Sequence, residues 1–405
     1  MLKNFWYAIA FADEVTTTPR QLRVLGQDLV VFRPEDGAEP VVMSDLCVHR
    51  GGALSDGVVK DGRIQCPYHG WQYKPDGACS LIPANRPGTS IPKKARVDSY
   101  PVVERYRWVW AFLGDLCEAD RPPIPDLQFF DDPGFRAISG QAFWNANYER
   151  VVENGIDYAH ASFVHAGTFG NPNDPVIPAY DVDSTEWSVT SRVTLPEPAE
   201  GMWRRLLRTK GSGGRNSLGI AVYMPNIVMF HIDFSLGKLV IYDTAIPVDE
   251  GTTLIKWVAL RSFIRNPIGD RLARRVVKKV FREDQRVVER LRPELLPFDI
   301  RAELHHKSDA MALGYRKIRD RCLQMGWGID RHELAAHGPR RRATVIPSPA
   351  RREVPELKRA WVMKEVARQP FPVPDDDIYE PTGALPEVAS ADVGAGGRAD
   401  GEDRK

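Results

Sequence analysis

Two short segments, Cys47-Val48-His49-Arg50-Gly51-Gly52 and Cys66-Pro67-Tyr68-His69-Gly70-Trp71, each carry one thiol and one imidazole. Sixteen residues separate His49 from Cys66. Thiolates are the usual ligands of iron–sulfur clusters. Because the cysteine precedes the histidine in both segments, each segment can give its Cys to one iron and its His to the other. The pattern therefore predicts a two-iron cluster held between two loops.

A cluster with two cysteines on one iron and two histidines on the other is a Rieske-type [2Fe–2S] centre, and its imidazoles raise the reduction potential. A structural zinc ion is the alternative, because zinc also binds two cysteines and two histidines. Common zinc fingers, however, place both cysteines in one short segment and both histidines in another, and the alternating order here fits that arrangement poorly. The other cysteines have no such partner, and we interpret them as ordinary buried or surface thiols: Cys79, Cys117 and Cys322.

The chain around these segments predicts a small all-β domain. Between residues 5 and 118, short apolar runs such as Leu29-Val30-Val31-Phe32 alternate with Gly, Pro and Asp turns. Arg121-Pro122-Pro123-Ile124-Pro125 is a rigid, extended junction, since proline fixes φ. We divide the chain into a β domain (1–120), a catalytic domain (121–338) and a C-terminal extension (339–405).

The composition of the C-terminal extension predicts an extended tail. It begins with Arg340-Arg341-Arg342 and several prolines, and its end is rich in Gly, Ala and Asp, which is typical of disorder. We expect a short helix around Glu356–Ala367 within this tail.

A second group with metal chemistry consists of Asn154, Asp157, His160 and His165. A predicted helix over 147–165 places the first three on one face, three residues apart. His165 lies five residues beyond His160, so either the helix ends there or a π-bulge returns it to the same face. Two histidines and a carboxylate form the facial triad of non-heme Fe(II) oxygenases, which leaves positions open for O₂.

The remainder of the second domain mixes helix and strand. Apolar runs from about 186 to 262, separated by Gly and Asp turns, predict an antiparallel meander. Asn266-Pro267 is typical of a helix start and predicts a long helix to about Leu291. Another helix is predicted over Arg316–Gln324. Gly155 costs about 1 kcal/mol relative to Ala inside a helix, which close packing against another backbone would explain.

Residues 227–234 alternate between two faces. One face is apolar, and the other is mixed, with Met229 and His231 among its members. The mixed face either lines a substrate cavity over the iron or faces solvent. Met229 and His231 are the candidate substrate contacts.

Both motifs resemble those of Rieske non-heme iron oxygenases, and they occur in the expected order over about residues 5–330. The two Cys-His loops and the pattern Asn-x-x-Asp-x-x-His-x4-His carry the resemblance. Phe5-Trp6-Tyr7-Ala8 and Pro101–Arg105 look like the group that contains vanillate O-demethylase and dicamba monooxygenase. The resemblance implies an α+β chain, with an all-β Rieske domain before a helix-grip catalytic domain built on an antiparallel sheet.

The resemblance also assigns roles to residues. It implies iron ligands at His160 and His165, with a third from Arg282-Glu283-Asp284-Gln285. The family usually supplies Asp, so Asp284 is the choice and Glu283 the fallback. Asp157 would bridge to His69 of a neighbouring subunit and carry electrons, and Asn154 would lie near the iron. The cluster ligands would be Cys47, His49, Cys66 and His69.

The implied function is that of a terminal oxygenase component. It would use O₂, and electrons from an NAD(P)H-dependent reductase or a ferredoxin, to hydroxylate or oxidatively demethylate an aromatic or other cyclic small molecule. Head-to-tail contacts would close into a homotrimer. Two alternatives stay open: a cis-dihydroxylating dioxygenase, and a pure electron-transfer Rieske protein, which would leave the second motif unexplained.

Composition bounds the remaining possibilities. Hydrophobic residues make up 43% and charged residues 27%, which is typical of a globular protein. The net charge of +1 predicts no attraction to nucleic acid or an anionic membrane. No signal-peptide pattern is present, and no apolar run reaches the ~18 residues of a membrane helix. We expect a cytoplasmic protein.

Overall fold

The computed structural model describes residues 1–194, 217–234, 236–330, 344–354, 356–357 and 364–371. Its N-terminal part confirms the all-β prediction. Three small antiparallel sheets have the orders β1-β11-β10, β2-β3-β4-β9 and β5-β6-β7-β8. Their strands are β1 Phe5–Phe11, β2 Arg20–Val24, β3 Gln27–Phe32, β4 Val41–Ser44, β5 Val58–Lys60, β6 Arg63–Gln65, β7 Gln72–Tyr73, β8 Cys79–Leu81, β9 Ser99–Tyr100, β10 Val102–Arg105 and β11 Trp108–Leu113.

The second part is built on a seven-stranded antiparallel sheet with the order β12-β18-β17-β16-β15-β14-β13. The predicted meander is therefore confirmed. The sequence did not predict β12, which pairs with β18 and extends the sheet. The strands are β12 Arg136–Trp144, β13 Val182–Ser184, β14 Ser188–Thr194, β15 Ser217–Tyr223, β16 Ile227–Phe234, β17 Gly237–Pro247 and β18 Thr253–Arg261.

In the part of the chain that the structure describes, four helices accompany this sheet: α1 Tyr148–Ile156, α2 Ala161–Val164, α3 Pro267–Val288 and α4 Ala310–Gln324. Helix α3 starts as predicted, because the Asn266 side chain accepts a hydrogen bond from the Gly269 N–H and Pro267 occupies the first turn. It ends at Val288, slightly before the predicted end. Helix α4 begins six residues earlier than predicted, after a turn in which the Asp309 carboxylate accepts the His306 N–H. Within the described residues, no helix has the length and apolar character needed to cross a bilayer.

Both faces of the large sheet are covered. Helices α1 and α3 contact one face. The other face packs on aromatic residues of the N-terminal part, where Trp108 and Trp110 join Tyr242 and Val258 in one buried cluster. The N-terminal strands therefore pack against the second face of the seven-stranded sheet.

The C-terminal segment is not a free tail where it is described. The Arg351 guanidinium donates two 2.8 Å hydrogen bonds to the Asp98 carboxylate, and both side chains are at most 2% exposed. The Tyr100 hydroxyl donates to the Ile346 carbonyl. Around these contacts lie helix α5 Ala350–Glu353 and a parallel strand pair, β19 Thr344–Val345 with β20 Lys364–Glu365.

The predicted helix at Glu356–Ala367 is wrong for residues 364–365, which form a strand. Residues 358–363 of that prediction, and Arg340–Arg342, lie outside the described residues.

Candidate metal centres and substrate cavity

The two Cys-His loops share one backbone construction. The Gly51 N–H donates to the Cys47 carbonyl at 2.8 Å, and the Gly70 N–H donates to the Cys66 carbonyl at 3.0 Å. Both glycines have φ +70°. Side chains rarely adopt that conformation, so glycine lets each turn close around its cysteine. The loops follow β4 and β6 and face each other.

The loops bring like ligands together. Cys47 and Cys66 are buried, at 2% and 1% exposure. His69 is exposed, and its ring centroid lies 4.4 Å from that of His49. An added Cβ at Gly52 would lie 3.1 Å from the Cys66 Sγ, which shows how closely the loops touch. The thiols lie on the inner side and the imidazoles towards the surface.

Other side chains support this pair of loops. The Tyr73 hydroxyl lies 3.0 Å from the Cys47 Sγ, and the Trp71 ring stacks on His49 at 4.6 Å. Burial raises the pKa of the Cys47 thiol, so a bound cation is needed to stabilise the thiolate there. The buried Nδ1 of His49 has no hydrogen-bond partner among the described residues. Paired thiols and paired imidazoles with an uncommitted nitrogen fit a two-iron Rieske cluster.

The second site lies where the predicted helix breaks. Helix α1 ends at Ile156, and Asp157 is extended, with φ −89° and ψ 128°. Its carboxylate accepts the N–H groups of Ala159 (2.7 Å) and His160 (3.2 Å), and this local turn competes with helix formation. His160 precedes α2, and His165 follows it. The expected single helical face for Asn154, Asp157 and His160 is therefore wrong, and no π-bulge is present.

Helix α3 supplies the carboxylate that completes a three-ligand group. Candidate ligand atoms of His160, His165 and Asp284 all lie within 4.8 Å of one another. The Asp284 Oδ1 lies 3.5 Å from the His160 Nε2 and 3.1 Å from the His165 Nε2. This buried oxygen has no hydrogen-bond partner among the described residues. A carboxylate oxygen between two ring nitrogens is a ligand set that suits Fe(II).

Glu283 has a different position from its neighbour. Its Oε2 lies 2.9 Å from the His165 Nδ1, and its Oε1 accepts a 2.8 Å hydrogen bond from the Thr168 hydroxyl. This contact lets the His165 Nδ1 donate to Glu283, an arrangement that would leave the Nε2 lone pair for a metal bound beside Asp284. The geometry therefore favours Asp284 as the ligand and gives Glu283 the task of orienting His165.

The charges of the acids around His160 and His165 favour a bound cation. Burial lowers the pKa of His160, but Asp157 and Asp284 outweigh that effect and raise it to about 9. Burial raises the pKa of Asp284, yet His160 and His165 lower it overall. The metal-free site thus holds an ionised carboxylate and a protonated histidine, and a bound metal takes the place of that proton.

A cavity of about 250 Å³ opens onto the three ligands. Asn154 and Asp157 also line it. Most of its wall is apolar, from β15, β16, β17 and the facing helices α1 and α3. Gly155 lets α1 approach closely, since an added Cβ would lie 3.3 Å from the Val228 Cγ1. The group that packs on Gly155 is therefore the Val228 side chain, whereas we expected the backbone of another segment.

Known families match both parts of the chain. Residues 5–101 match the Rieske [2Fe-2S] domain, and residues 144–325 match the vanillate O-demethylase oxygenase C-terminal domain. Methylxanthine N1-demethylase of Pseudomonas putida is 31% identical over 325 residues, which cover 78% of this chain and 88% of that protein. The chain belongs to the Rieske non-heme iron oxygenases.

Other relatives of this oxygenase component agree. The vanillate O-demethylase oxygenase subunit of a Pseudomonas species is 26% identical over 344 residues, covering 79% of this chain and 94% of that protein. The structure of Pseudomonas putida CBB5 NdmA with caffeine has a TM-score of 0.68 at 28% identity and covers 90% and 96% of the two chains. The predicted fold, the oxygenase class, the Rieske cluster and the mononuclear iron are confirmed. A pure electron carrier would leave the second domain unexplained.

The predicted substrate contacts of the oxygenase do not line the cavity. Met229 packs in the cluster beneath the sheet, and the His231 ring lies 5.5 Å from the Phe129 ring. Val228, Phe230 and Ile232, on the opposite face of β16, line the cavity instead. The expectation failed because the N-terminal aromatic residues cover the mixed face, while the apolar face surrounds the substrate space.

Sequence reasoning also missed Asp243, whose carboxyl lines the cavity of this oxygenase. The signal was present, since Asp243 interrupts the apolar run that begins at Leu239-Val240-Ile241-Tyr242. Period-two alternation alone did not show which face of β17 would be enclosed.

Proposed function

We propose that this oxygenase component inserts oxygen into an apolar cyclic molecule, with hydroxylation or oxidative demethylation as the result. The observation that carries the proposal is the apolar cavity that opens onto His160, His165 and Asp284. Mononuclear Fe(II) at such a site supplies O₂ activation when bound. The names of two relatives, a methylxanthine N1-demethylase and a vanillate O-demethylase, support demethylation of ring compounds.

The chain's own residues set the conditions for that chemistry. The apolar walls from β15, β16 and β17 exclude water and bury the substrate next to the ligands. Glu283 keeps the His165 Nε2 free, and the Asp284 carboxylate stays ionised because the two histidines lower its pKa. Asn154 lines the cavity beside these ligands.

The first centre serves as the electron entry. Cys47 and Cys66 would hold one iron of the cluster, and His49 and His69 the other. We assign residues 1–120 to this domain, 121–338 to catalysis and 339–405 to an extension whose described part supports the first domain. A reductase or ferredoxin is the electron donor.

Electrons reach the iron from another copy of the chain. Within one chain the exposed His69 contacts His49 and Tyr68, whereas Asp157 contacts Ala159 and His160. The Asp157 side chain is 34% exposed, so it is accessible to a second molecule. A carboxylate between two imidazoles suits an electron bridge. Such a head-to-tail contact closes into a ring, and we propose a homotrimer.

Replacement of Asp157 tests this route. Asp157→Ala should lower substrate-dependent oxygen uptake by roughly two orders of magnitude or more, while the visible spectrum of the cluster stays unchanged. Anaerobically purified protein should still contain about three irons and about two acid-labile sulfides per chain. Asp183→Ala, on the exposed strand β13, is the matched control. Retained turnover would exclude Asp157 as the bridge, and about two irons per chain would exclude the mononuclear site.

A further inference from the structure

Asp243 places a carboxyl group in the middle of an apolar sheet face. It lies on β17, where its cross-strand neighbours are Val228 on β16 and Trp257 on β18. Paired residues of an antiparallel sheet share one face. Along β17 the neighbours on that face are Ile241 and Ala245, which also line the cavity. All four neighbours are apolar.

One oxygen of the Asp243 carboxyl has no partner within the described part of the chain. Its Oδ1 is buried and has no hydrogen-bond partner among the described residues. Burial, together with the nearby Asp284, raises the pKa of Asp243 to about 8. A buried polar group without a partner is costly, and native proteins retain few of them. Because this group does not stabilise the fold, a ligand is the natural partner for it.

Charges around the cavity limit what that ligand can be. Among the described residues that line the cavity, none is Lys or Arg. Two more acids, Asp157 and Asp284, and the histidines His160 and His165 line the end of the cavity at the iron site. The described lining residues therefore offer Asp243 no Lys or Arg partner, and a hydrogen-bonding group of the ligand is left to pair with its carboxyl.

We propose that Asp243 is a specificity-determining residue, which accepts a hydrogen bond from an N–H or O–H group of the cyclic substrate. This inference rests on the proposed function and deepens it. The donor group would anchor the ring at β17 while the apolar remainder fills the space between Val228 and the helices. A hydrogen bond that only the correct substrate makes is an effective basis for discrimination.

A matched series of methoxyarenes tests the preference on the full-length protein with both metal centres loaded. The probes are para-methoxyphenol, para-methoxyaniline and para-methoxytoluene. Dissociation constants are measured by calorimetry under argon, so binding is read without turnover. The phenol and the aniline should bind roughly tenfold tighter than the toluene. The first two probes distinguish an O–H from an N–H donor.

Two variants connect the preference to Asp243. Asp243→Val should abolish the advantage of the phenol and the aniline, and its melting temperature should equal or exceed that of the natural protein, because an unpaired acid is removed. Asp243→Asn keeps an acceptor oxygen and should retain the advantage. Asp243→Ala lacks any acceptor and should lose the advantage, which keeps the test decisive if the Val variant does not fold. Asp183→Asn is the control for loss of an acid elsewhere.

The possible failures are distinguishable. Equal binding of the phenol and the toluene, or an unchanged preference in Asp243→Val, would overturn the inference. Oxygen uptake with these probes would leave the proposed function standing. If no probe binds and none stimulates oxygen uptake, the aromatic substrate class and the inference both fail.

Discussion

The two metal centres of this oxygenase are built in opposite ways. The cluster loops are two short turns of the same construction, each with a Cys, a His and a glycine at φ +70°, and their histidines lie towards the surface. The candidate mononuclear site brings two histidines that flank the short helix α2 together with a carboxylate from α3, more than a hundred residues later, and it lies at the end of a largely apolar cavity.

The two centres differ in the interactions that hold their ligands in position. Backbone hydrogen bonds within each loop hold the cluster ligands, so local sequence determines most of their geometry. The iron ligands depend on the packing of α3 against the sheet and on Glu283, which reaches from α3 to His165. Changes in packing should therefore disturb the second centre more than the first.

The largest expected effect is the separate loss of either centre. His160→Ala should remove the mononuclear iron and abolish turnover, leaving about two irons, about two sulfides and an unchanged cluster spectrum. Cys66→Ser should remove the cluster spectrum and the sulfide, while the catalytic domain still binds about one Fe(II). Metal and sulfide analysis with visible spectroscopy measures both.

His306→Ala, at an exposed histidine on a turn, is the control and should change neither centre. If His160→Ala also bleached the cluster, the two centres would depend on each other, and the contrast between local and distant construction would fail.

A smaller effect is expected from Glu283→Gln. The amide keeps the shape but loses the charge that orients the His165 ring, so Fe(II) affinity should fall roughly tenfold to hundredfold. Titration of the metal-free site with Fe(II) measures this, and the cluster spectrum should not change. Glu294→Gln, at a side chain 64% exposed, is the control. Unchanged affinity would show that packing against Phe169 alone positions His165.

The smallest effect is expected from Gly155→Ala. Alanine favours the helix by about 1 kcal/mol, but its Cβ would lie 3.3 Å from the Val228 Cγ1. These contributions offset each other, so the melting temperature should change little. The KM should rise roughly tenfold, because the cavity narrows.

Gly251→Ala introduces a Cβ into open space and is the matched control. A KM equal to that of the natural protein would mean that substrate does not contact α1 at this point.

Much of this molecule was predictable, for reasons that differ between elements. The N-cap at Asn266 and the Cys-His loops were identified because their chemistry lies within a few residues. The break at Asp157 was harder, since a local carboxylate–amide turn competes with a helix that the apolar spacing favours. Met229 and His231 were assigned wrongly, because alternation along a strand identifies two faces without saying what covers each.

The sequence by itself determined the ligand types and their spacing, the order of the two domains and the membership in a family, because these depend on residue identity and local backbone preference. The tertiary structure alone decided that Asp284 and not Glu283 faces both histidines and that the apolar face of β16 lines the cavity. It also decided that Asp243 lies in that cavity with one oxygen unpaired among the described residues, and that Arg351 binds the C-terminal segment to Asp98. The physical reason is that each of these contacts joins chain segments far apart in sequence, and only close packing of the complete fold determines which side chains meet.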